Sequence, residues 1–305
     1  MEQLRGGAGG GGLSILIPVF NWDVRPLVAS LVAQFTDWNG PVELLLLDDG
    51  SRDESRVLHR PLAVLPGVRY RELPRNVGRA AIRNQLAAAA QHEWLLLLDN
   101  DSLLPDNQFL ARYAAVRSSA AVLIGGTSYE AAPPADAALR LRWHYGRVRE
   151  ARPAAVRQAA PYGQLTINNA LIQADIFRRF PLDERLTGYG HEDTKFGVEL
   201  SAADVPVLHL DNPVLHVGLE AAAVFLDKSE QGVYNLAQVF RHDGLGTEAR
   251  VLQAALRLRR LGLAPAARAA LGALAPTLRR QLLGAAPHLR ALDALKLYWL
   301  LRELA

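Results

Sequence analysis

The sequence predicts an α/β protein, an open and mostly parallel sheet flanked by helices, followed by an all-helical C-terminal extension. Three observations carry this. Short, almost continuously apolar runs recur at residues 13–19, 42–47 and 94–98, the pattern of strands buried on both faces. Segments with helical spacing of apolar residues separate them, and such alternation builds parallel sheets. From residue 249 onward only helical periodicity remains.

Taken in order, residues 1–12 (MEQLRGGAGGGG) read as a flexible glycine-rich lead-in without the apolar stretch of a signal peptide. Residues 13–19 (LSILIPV) form a strand, ended by Pro18 and the turn-forming Asn21. A helix over 26–35 leads to a second strand at 42–47, stopped by Asp48-Asp49-Gly50-Ser51. Residues 53–65 are helical, 68–73 extended, and 77–91 an Ala-rich helix. The third apolar strand, 94–98, runs into Asp99-Asn100-Asp101; Pro105 suits the first turn of the next helix, and 121–124 is a further strand. Beyond Gly126 the rhythm loosens. A Pro-containing loop at 132–136 precedes a basic helix over 137–152, an extended segment at 164–173 and a short helix at 174–179. A loop at 187–190 opens a helix over 191–203, followed by extended pieces at 205–210 and 212–216 and a helix over 219–240. The polar stretch 241–247 separates a domain over 13–243 from the extension at 249–305.

Composition narrows the function. The 305 residues are 50% hydrophobic and 21% charged, as expected of a soluble globular chain. The absence of Cys excludes disulfide frameworks, thiolate nucleophiles and Cys-held metal centres. Mean hydropathy is +0.03, and no run of 18 apolar residues suggests a membrane span. The net charge of +3 divides unevenly: residues 249–305 carry ten basic side chains against Asp293 and Glu303, a net +8, which leaves −5 for the rest.

In open α/β sheets ligands bind at the carboxyl ends of the strands. Three such ends carry acids or amides: 18–23, Asp48-Asp49 and Asp99-Asn100-Asp101. Carboxylates gathered on one edge repel one another unless a cation or donor groups neutralise them, and an oxygen-rich site favours magnesium or manganese. The plainer alternative is turn and cap chemistry, for which Asp and Asn are equally suited. No Gly-x-Gly-x-x-Gly follows the first strand, and neither a P-loop nor a Gly-x-Ser-x-Gly elbow is present. A dinucleotide oxidoreductase, a P-loop NTPase and the common serine hydrolase are therefore disfavoured.

The order of motifs resembles family 2 glycosyltransferases. Ser14–Asn21 (SILIPVFN), Leu46–Ser51 (LLDDGS), Asn76–Asn84 (NVGRAAIRN) and Leu97–Asp101 (LLDND) follow with that family's spacing. Gly190–Gly197 (GHEDTKFG) is similar to the Glu-Asp motif of the branch containing chondroitin-polymerase and galactosyltransferase-type domains. The resemblance covers about residues 13–240 and implies a GT-A-like fold and inverting transfer from a nucleotide-sugar. By the resemblance, Asp49 bonds the donor base, usually uracil, with Pro18 and Phe20 in the nucleoside pocket and Asn21 and Asn100 on the donor side. Arg83 would balance phosphate charge; its alternative is a surface helix arginine. Asp99 would lie near ribose or metal, Asp101 would be the main metal ligand, and His216 a third, unless it is simply a core histidine. Asp193 would be the general base and Glu192 an acceptor contact, the alternative being two acids that begin a helix. Tyr189, His191 and Asn169 fall on the acceptor side; His191 stands where relatives often have Gly, and Asn169 reads equally as part of a buried turn. Trp143 could stack on a sugar, although core packing suits it as well.

The reading is thus an inverting transferase dependent on Mn2+ or Mg2+, moving a sugar from a UDP-sugar to a hydroxyl of a glycan or lipid-linked oligosaccharide. Alternatives are a catalytically silent nucleotide-sugar binder or scaffold, a polyprenyl-phosphate sugar transferase, and a sugar-nucleotidyltransferase, whose Gly-rich phosphate loop is missing here. The basic extension reads as a helical bundle packed on the domain, or as a surface for peripheral contact with the inner face of the membrane; no nucleic-acid module is visible. The expected location is the cytoplasm.

Overall fold

The computed structural model describes residues 11–186, 190, 192–247 and 249–305. Its strands are β1 (Leu13–Val19), β2 (Val42–Asp48), β3 (Val68–Glu72), β4 (Trp94–Leu98), β5 (Ser102–Leu103), β6 (Val122–Ile124), β7 (Thr127–Ser128), β8 (Asn169–Gln173), β9 (Val207–His209) and β10 (Val214–His216). The main sheet has the order β3-β2-β1-β4-β8-β6-β9, with β8 antiparallel to both neighbours and the other pairs parallel. The order reverses direction at β1, so the crevice of such a sheet falls at the carboxyl ends of β1 and β4. A small second sheet, β5-β10-β7, stands beside that edge.

The helices are α1 (Arg25–Val32), α2 (Asp53–His59), α3 (Arg79–Ala89), α4 (Phe109–Val116), α5 (Arg140–Tyr145), α6 (Ala154–Gln158), α7 (Ala174–Arg179), α8 (Glu192–Ala202) and α9 (Ala222–Asp243). Alternation along the apolar strands divides the core. Leu16, Leu45, Leu95 and Leu97 face one side, covered by Ile82 and Leu86 of α3, Phe177 of α7 and Phe196 of α8. Ile15, Ile17, Leu44 and Leu96 face the other, covered by Leu27 and Leu31 of α1 and Phe109 and Tyr113 of α4. Both faces are dry, which explains why the strands read as unbroken apolar runs rather than alternating ones.

Several expectations are refined. The extended segment 164–173 contracts to β8, because only its last residues find ladder partners on β4 and β6. The helix expected over 137–152 is a short 3-10 turn, then α5, then a π-helical turn at Gly146–Glu150. The paired fragments β5, β7 and β10 are too short to carry a periodic signal.

The tail folds into α10 (Arg250–Arg260), α11 (Ala264–Leu282) and α12 (Leu289–Glu303). These do not build a core alone. Leu252, Leu292, Trp299 and Leu300 pack in one cluster with Phe225, Leu226 and Leu236 of α9 and Leu141 of α5. The packing unit therefore begins before the polar stretch 241–247, whose composition marks the change in charge but not in packing.

Candidate active site

Two adjoining cavities, of about 470 and 290 Å3, open where β1, β2 and β4 end, and both reach Arg79, Asp99, Asp101, Gly218, Glu220 and Lys228. Pro18, Phe20, Asp49, Arg83 and Asn100 line the larger; Asn168, Asp193 and His216 line the smaller.

The larger cavity is built by the ends of β1 and β2 and the start of α3. Asp48 is fully buried and spent on the turn, accepting from Ser51 N–H at 2.7 Å. Its neighbour Asp49 turns to the cavity and accepts the backbone N–H groups of Val77 at 2.7 Å and Gly78 at 3.3 Å. Burial raises the Asp49 carboxyl above its usual range, against the pull of those two N–H donors. Gly78 carries φ +93°, a backbone open to glycine that allows α3 to start beside Asp49. Phe20 and Trp22 are exposed aromatics at this cavity. Asn21 is a correction: it lines neither cavity, because its Oδ1 accepts Arg52 N–H at 2.9 Å and its own N–H donates to Ser51 Oγ at 2.9 Å, tying β1 to the start of α2.

Arg79 and Arg83 stand one turn apart on α3 and so share a face. Arg83 is buried, bonds Asp99 Oδ1 and thus is not a surface arginine. Arg79 Nη2 lies 3.9 Å from Asp99 Oδ2. Burial opposes ionisation of Asp99, but the two guanidinium groups outweigh it and hold the carboxyl below its usual value. With both oxygens turned to arginines, Asp99 is not placed as a metal ligand, which corrects the expectation that it shares the cation with Asp101.

Asp101 and His216 do meet. The β5–β10 pairing sets His216 opposite Ser102, next to Asp101. His216 Nδ1 lies 3.4 Å from Asp101 Oδ1. Among the described residues, Asp101 Oδ1 and His216 Nε2 are buried and without a hydrogen-bond partner. Tyr129 packs edge-on against the imidazole, ring centroids 5.3 Å apart. Among the described residues no three acids or histidines cluster as a complete cation cage. A carboxylate and an imidazole fit a cation whose remaining ligands are substrate phosphates and water, the usual habit of magnesium and related ions.

Glu192 and Asp193 occupy the first turn of α8, so the helix-start reading holds for both and does not exclude a role at the site. Glu192 is buried with Oε1 2.8 Å from Arg79 Nε, and lines neither cavity. Burial opposes its ionisation, yet the Arg79 charge and hydrogen bond keep it below its usual range. Asp193 differs. Its Oδ1 is fully buried and unpartnered among the described residues. Burial, then the Glu192 charge, push its carboxyl up to about 7, against the pull of Arg83 and Arg79. Two adjacent acids driven apart in this way divide into a fixed anion and a proton acceptor poised near neutrality.

A sequence profile of glycosyl transferase family 2 matches residues 14–169, just over half of the chain. The chain belongs to glycosyl transferase family 2. The family segment runs from β1 into β8 and holds Asp49, Arg83, Asp99 and Asp101; Glu192, Asp193 and His216 lie beyond it. No curated protein matches the sequence. Solved structures share the fold. The mannosyltransferase PcManGT from Pyrobaculum calidifontis, in complex with GDP-Man and Mn2+, is 17% identical at a TM-score of 0.56, covering 93% of this chain and 78% of its own. S. aureus TarS 1-349 is 16% identical at 0.52, covering 94% and 89%. Glucosyl-3-phosphoglycerate synthase from Mycobacterium tuberculosis, in complex with Mn2+, UDP and glucosyl-3-phosphoglycerate, is 16% identical at 0.53, covering 77% and 81%. The architecture is that of the GT-A glycosyltransferases.

Asn169 does not reach the cavities. It is fully buried, donates to Gly126 O at 2.9 Å and Asn212 O at 2.8 Å, and accepts from Tyr113 Oη at 2.8 Å, so it is a buried structural residue at the start of β8 and neither an acceptor contact nor part of a turn. Asn168 lines the smaller cavity instead; its Nδ2 bonds Thr127 Oγ1 at 2.7 Å and its Oδ1 is left unpartnered among the described residues. Trp143 bonds Glu130 O through Nε1 at 2.8 Å and lines neither cavity. Tyr189 and His191 lie outside the described residues. Sequence reasoning passed over Arg79, Trp22 and Lys228. Arg79 was findable, four residues before Arg83 in the same motif; Lys228 was not, since it reaches the site from α9.

Proposed function

We propose that the protein is an inverting glycosyltransferase that transfers a sugar from a nucleotide-sugar, a UDP-sugar, to a hydroxyl of a glycan or lipid-linked acceptor, with Mn2+ or Mg2+. The observation that carries this reading is Asp193: an unpartnered buried carboxylate oxygen, in a group poised near neutrality, in the wall of the cavity that Asp101 and His216 also line.

The donor lies in the larger cavity. Asp49 accepts the uracil N3–H, with Pro18 and Phe20 against the base. The fold relatives support a nucleotide donor: one structure holds GDP-Man and Mn2+, another UDP and Mn2+, and TarS has been solved with UDP-GlcNAc. Asp101 and His216 would hold the cation, which when bound would supply Lewis-acid stabilisation of the leaving nucleoside diphosphate. Arg79 and Arg83 line the larger cavity, paired with Asp99 and Glu192 in the resting site.

The acceptor hydroxyl enters the smaller cavity and gives its proton to Asp193 as its oxygen attacks the anomeric carbon. Attack from the face opposite the nucleotide inverts the configuration, so an α-linked donor yields a β-glycoside and no covalent enzyme intermediate forms. Glu192 does not touch the acceptor; it holds Arg79 and raises Asp193.

A panel of UDP- and GDP-sugars with Mn2+ or Mg2+, scored by nucleotide release, tests the donor. Proton NMR of the product tests the stereochemistry. Retained configuration, or full activity in Asp193→Asn, would overturn the mechanism; release from GDP-sugars alone would overturn the uracil assignment.

A further inference from the structure

The tail has a surface that the transfer reaction does not use. Residues 249–288 contain seven arginines and no acidic residue. At the turn between α10 and α11, Arg257, Arg259 and Arg260 are exposed, and directly after them Leu261 and Leu263 are 59% and 51% exposed. Gly262, at φ +71°, ends α10 between the two leucines, and Leu263 N–H bonds back to Leu258 O at 2.9 Å. Among the described residues the tail's ion pairs run through Arg279, Asp293 and Arg302, and leave the three turn arginines unneutralised. The turn is firmly carried: Leu252 and Ala255 of α10 are fully buried in the helical core. Further along α11, Leu274 is 54% exposed.

We propose that the α10–α11 turn is a docking surface for an anionic phospholipid bilayer. Leu261 and Leu263 enter the boundary between headgroups and acyl chains, and Arg257, Arg259 and Arg260 lie on the lipid phosphates. The combination selects this partner. A nucleic acid would use the arginines but leave the leucines in water. A second copy of the chain would bring the same uncompensated positive charge to the contact. The arrangement is a surface contact and not a span, since among the described residues no helix is long and apolar enough to cross a membrane. The contact also bears on the site. Arg149, in the wall of the smaller cavity, is held at 2.8 Å by Asp293 of α12, so a tail lying on a bilayer carries the acceptor side with it.

The test is flotation of the full chain with vesicles of phosphatidylcholine alone, and of phosphatidylcholine with roughly one-third phosphatidylglycerol. The protein is expected on the anionic vesicles, less at high salt, and not on the neutral ones. The triple variant R257Q/R259Q/R260Q lowers the partition coefficient on the order of a hundredfold, at about fivefold per arginine. Leu261→Ser with Leu263→Ser, all charge intact, lowers it about tenfold. Thermal melts of both variants match the wild type, since these side chains lie outside the helical core. No binding to anionic vesicles overturns the proposal. So does a leucine variant that binds like the wild type, with duplex DNA as an effective competitor, which would make the turn a general polyanion surface. A wild-type dimer that the leucine variant converts to monomer in sedimentation velocity would assign the face to a second copy and overturn it equally.

Discussion

Arg79 Nε stands 2.8 Å from Glu192 Oε1, joining α3 to α8 across 113 positions of sequence. The pair links α3, in the wall of the larger cavity, to the helix that carries Asp193. Arg79 also helps to hold down the Asp193 carboxyl. In Arg79→Gln that help is lost while Glu192 stays near. The acid limb of kcat/KM against pH is expected to move to higher pH, with activity at pH 7 falling about tenfold. A limb that does not move would show that Arg79 has no electrostatic hold on the base.

Asp193→Asn is expected to lose transfer by about 10²–10⁴-fold, with donor binding by calorimetry unchanged. It should also be the more stable protein above neutral pH. A carboxyl at 3.8 when unfolded and about 7 when folded gains a proton on folding between those values. Its favourable contribution is complete below the unfolded value and is lost as pH rises through 7. The melting temperature of the variant should therefore exceed that of the wild type by more at pH 8 than at pH 5; an equal difference at both would contradict the assigned ionisation.

Asp99 and Asp101 should separate cleanly. Asp99→Asn strips Arg83 of its counter-ion in a nearly dry site and is expected to cost about 3 kcal/mol, read as a lower denaturation midpoint. Asp101→Asn should leave the midpoint within about 0.5 kcal/mol of the wild type. The same change should weaken Mn2+ binding in the presence of UDP by at least about tenfold, measured from the EPR signal of free Mn2+. If the two variants behave alike, the division between anchor and ligand is wrong.

Gly218 lies on Asp101 so closely that a Cβ there would meet Asp101 Oδ2 at 2.1 Å and its Cβ at 2.7 Å. Gly218→Ala must displace that carboxylate. The expected result is a loss of Mn2+-dependent turnover of the same order as in Asp101→Asn, with the far-UV circular dichroism unchanged. Normal turnover in Gly218→Ala would show that Asp101 can move without consequence.

Much of the catalytic half was legible because its information is local. The runs LSILIPV, VELLLL and WLLLL could only be buried strands, and the acids that end them had to collect at one edge. Residue type alone does not separate Asp48 from Asp49; the resemblance picks Asp49, and the fold gives the physical reason, since Asp48 is spent on Ser51. Asp99 falls near ribose or metal by the resemblance; only the folded α3 reveals two arginines waiting for it. Asn168 lines the smaller cavity and Asn169 does not, because successive side chains leave opposite faces of the chain, and β8 begins at the second of them. Lys228 and Glu220 were out of reach of any motif, because their partner surface is assembled by tertiary packing.

The core shared by α9 and α12 has a consequence during synthesis. On the ribosome α9 emerges well before α12, so Phe225, Leu226 and Leu236, which α5 covers only in part, lack the cover of Trp299 and Leu300 until α12 arrives. The nascent chain thus passes through a stage in which the sheet can already be closed while one wall of the cavities, the one bearing Lys228, still shows an apolar flank to its surroundings. Apolar surface left open in that interval favours aggregation. The interval ends only when α12 is free to fold back.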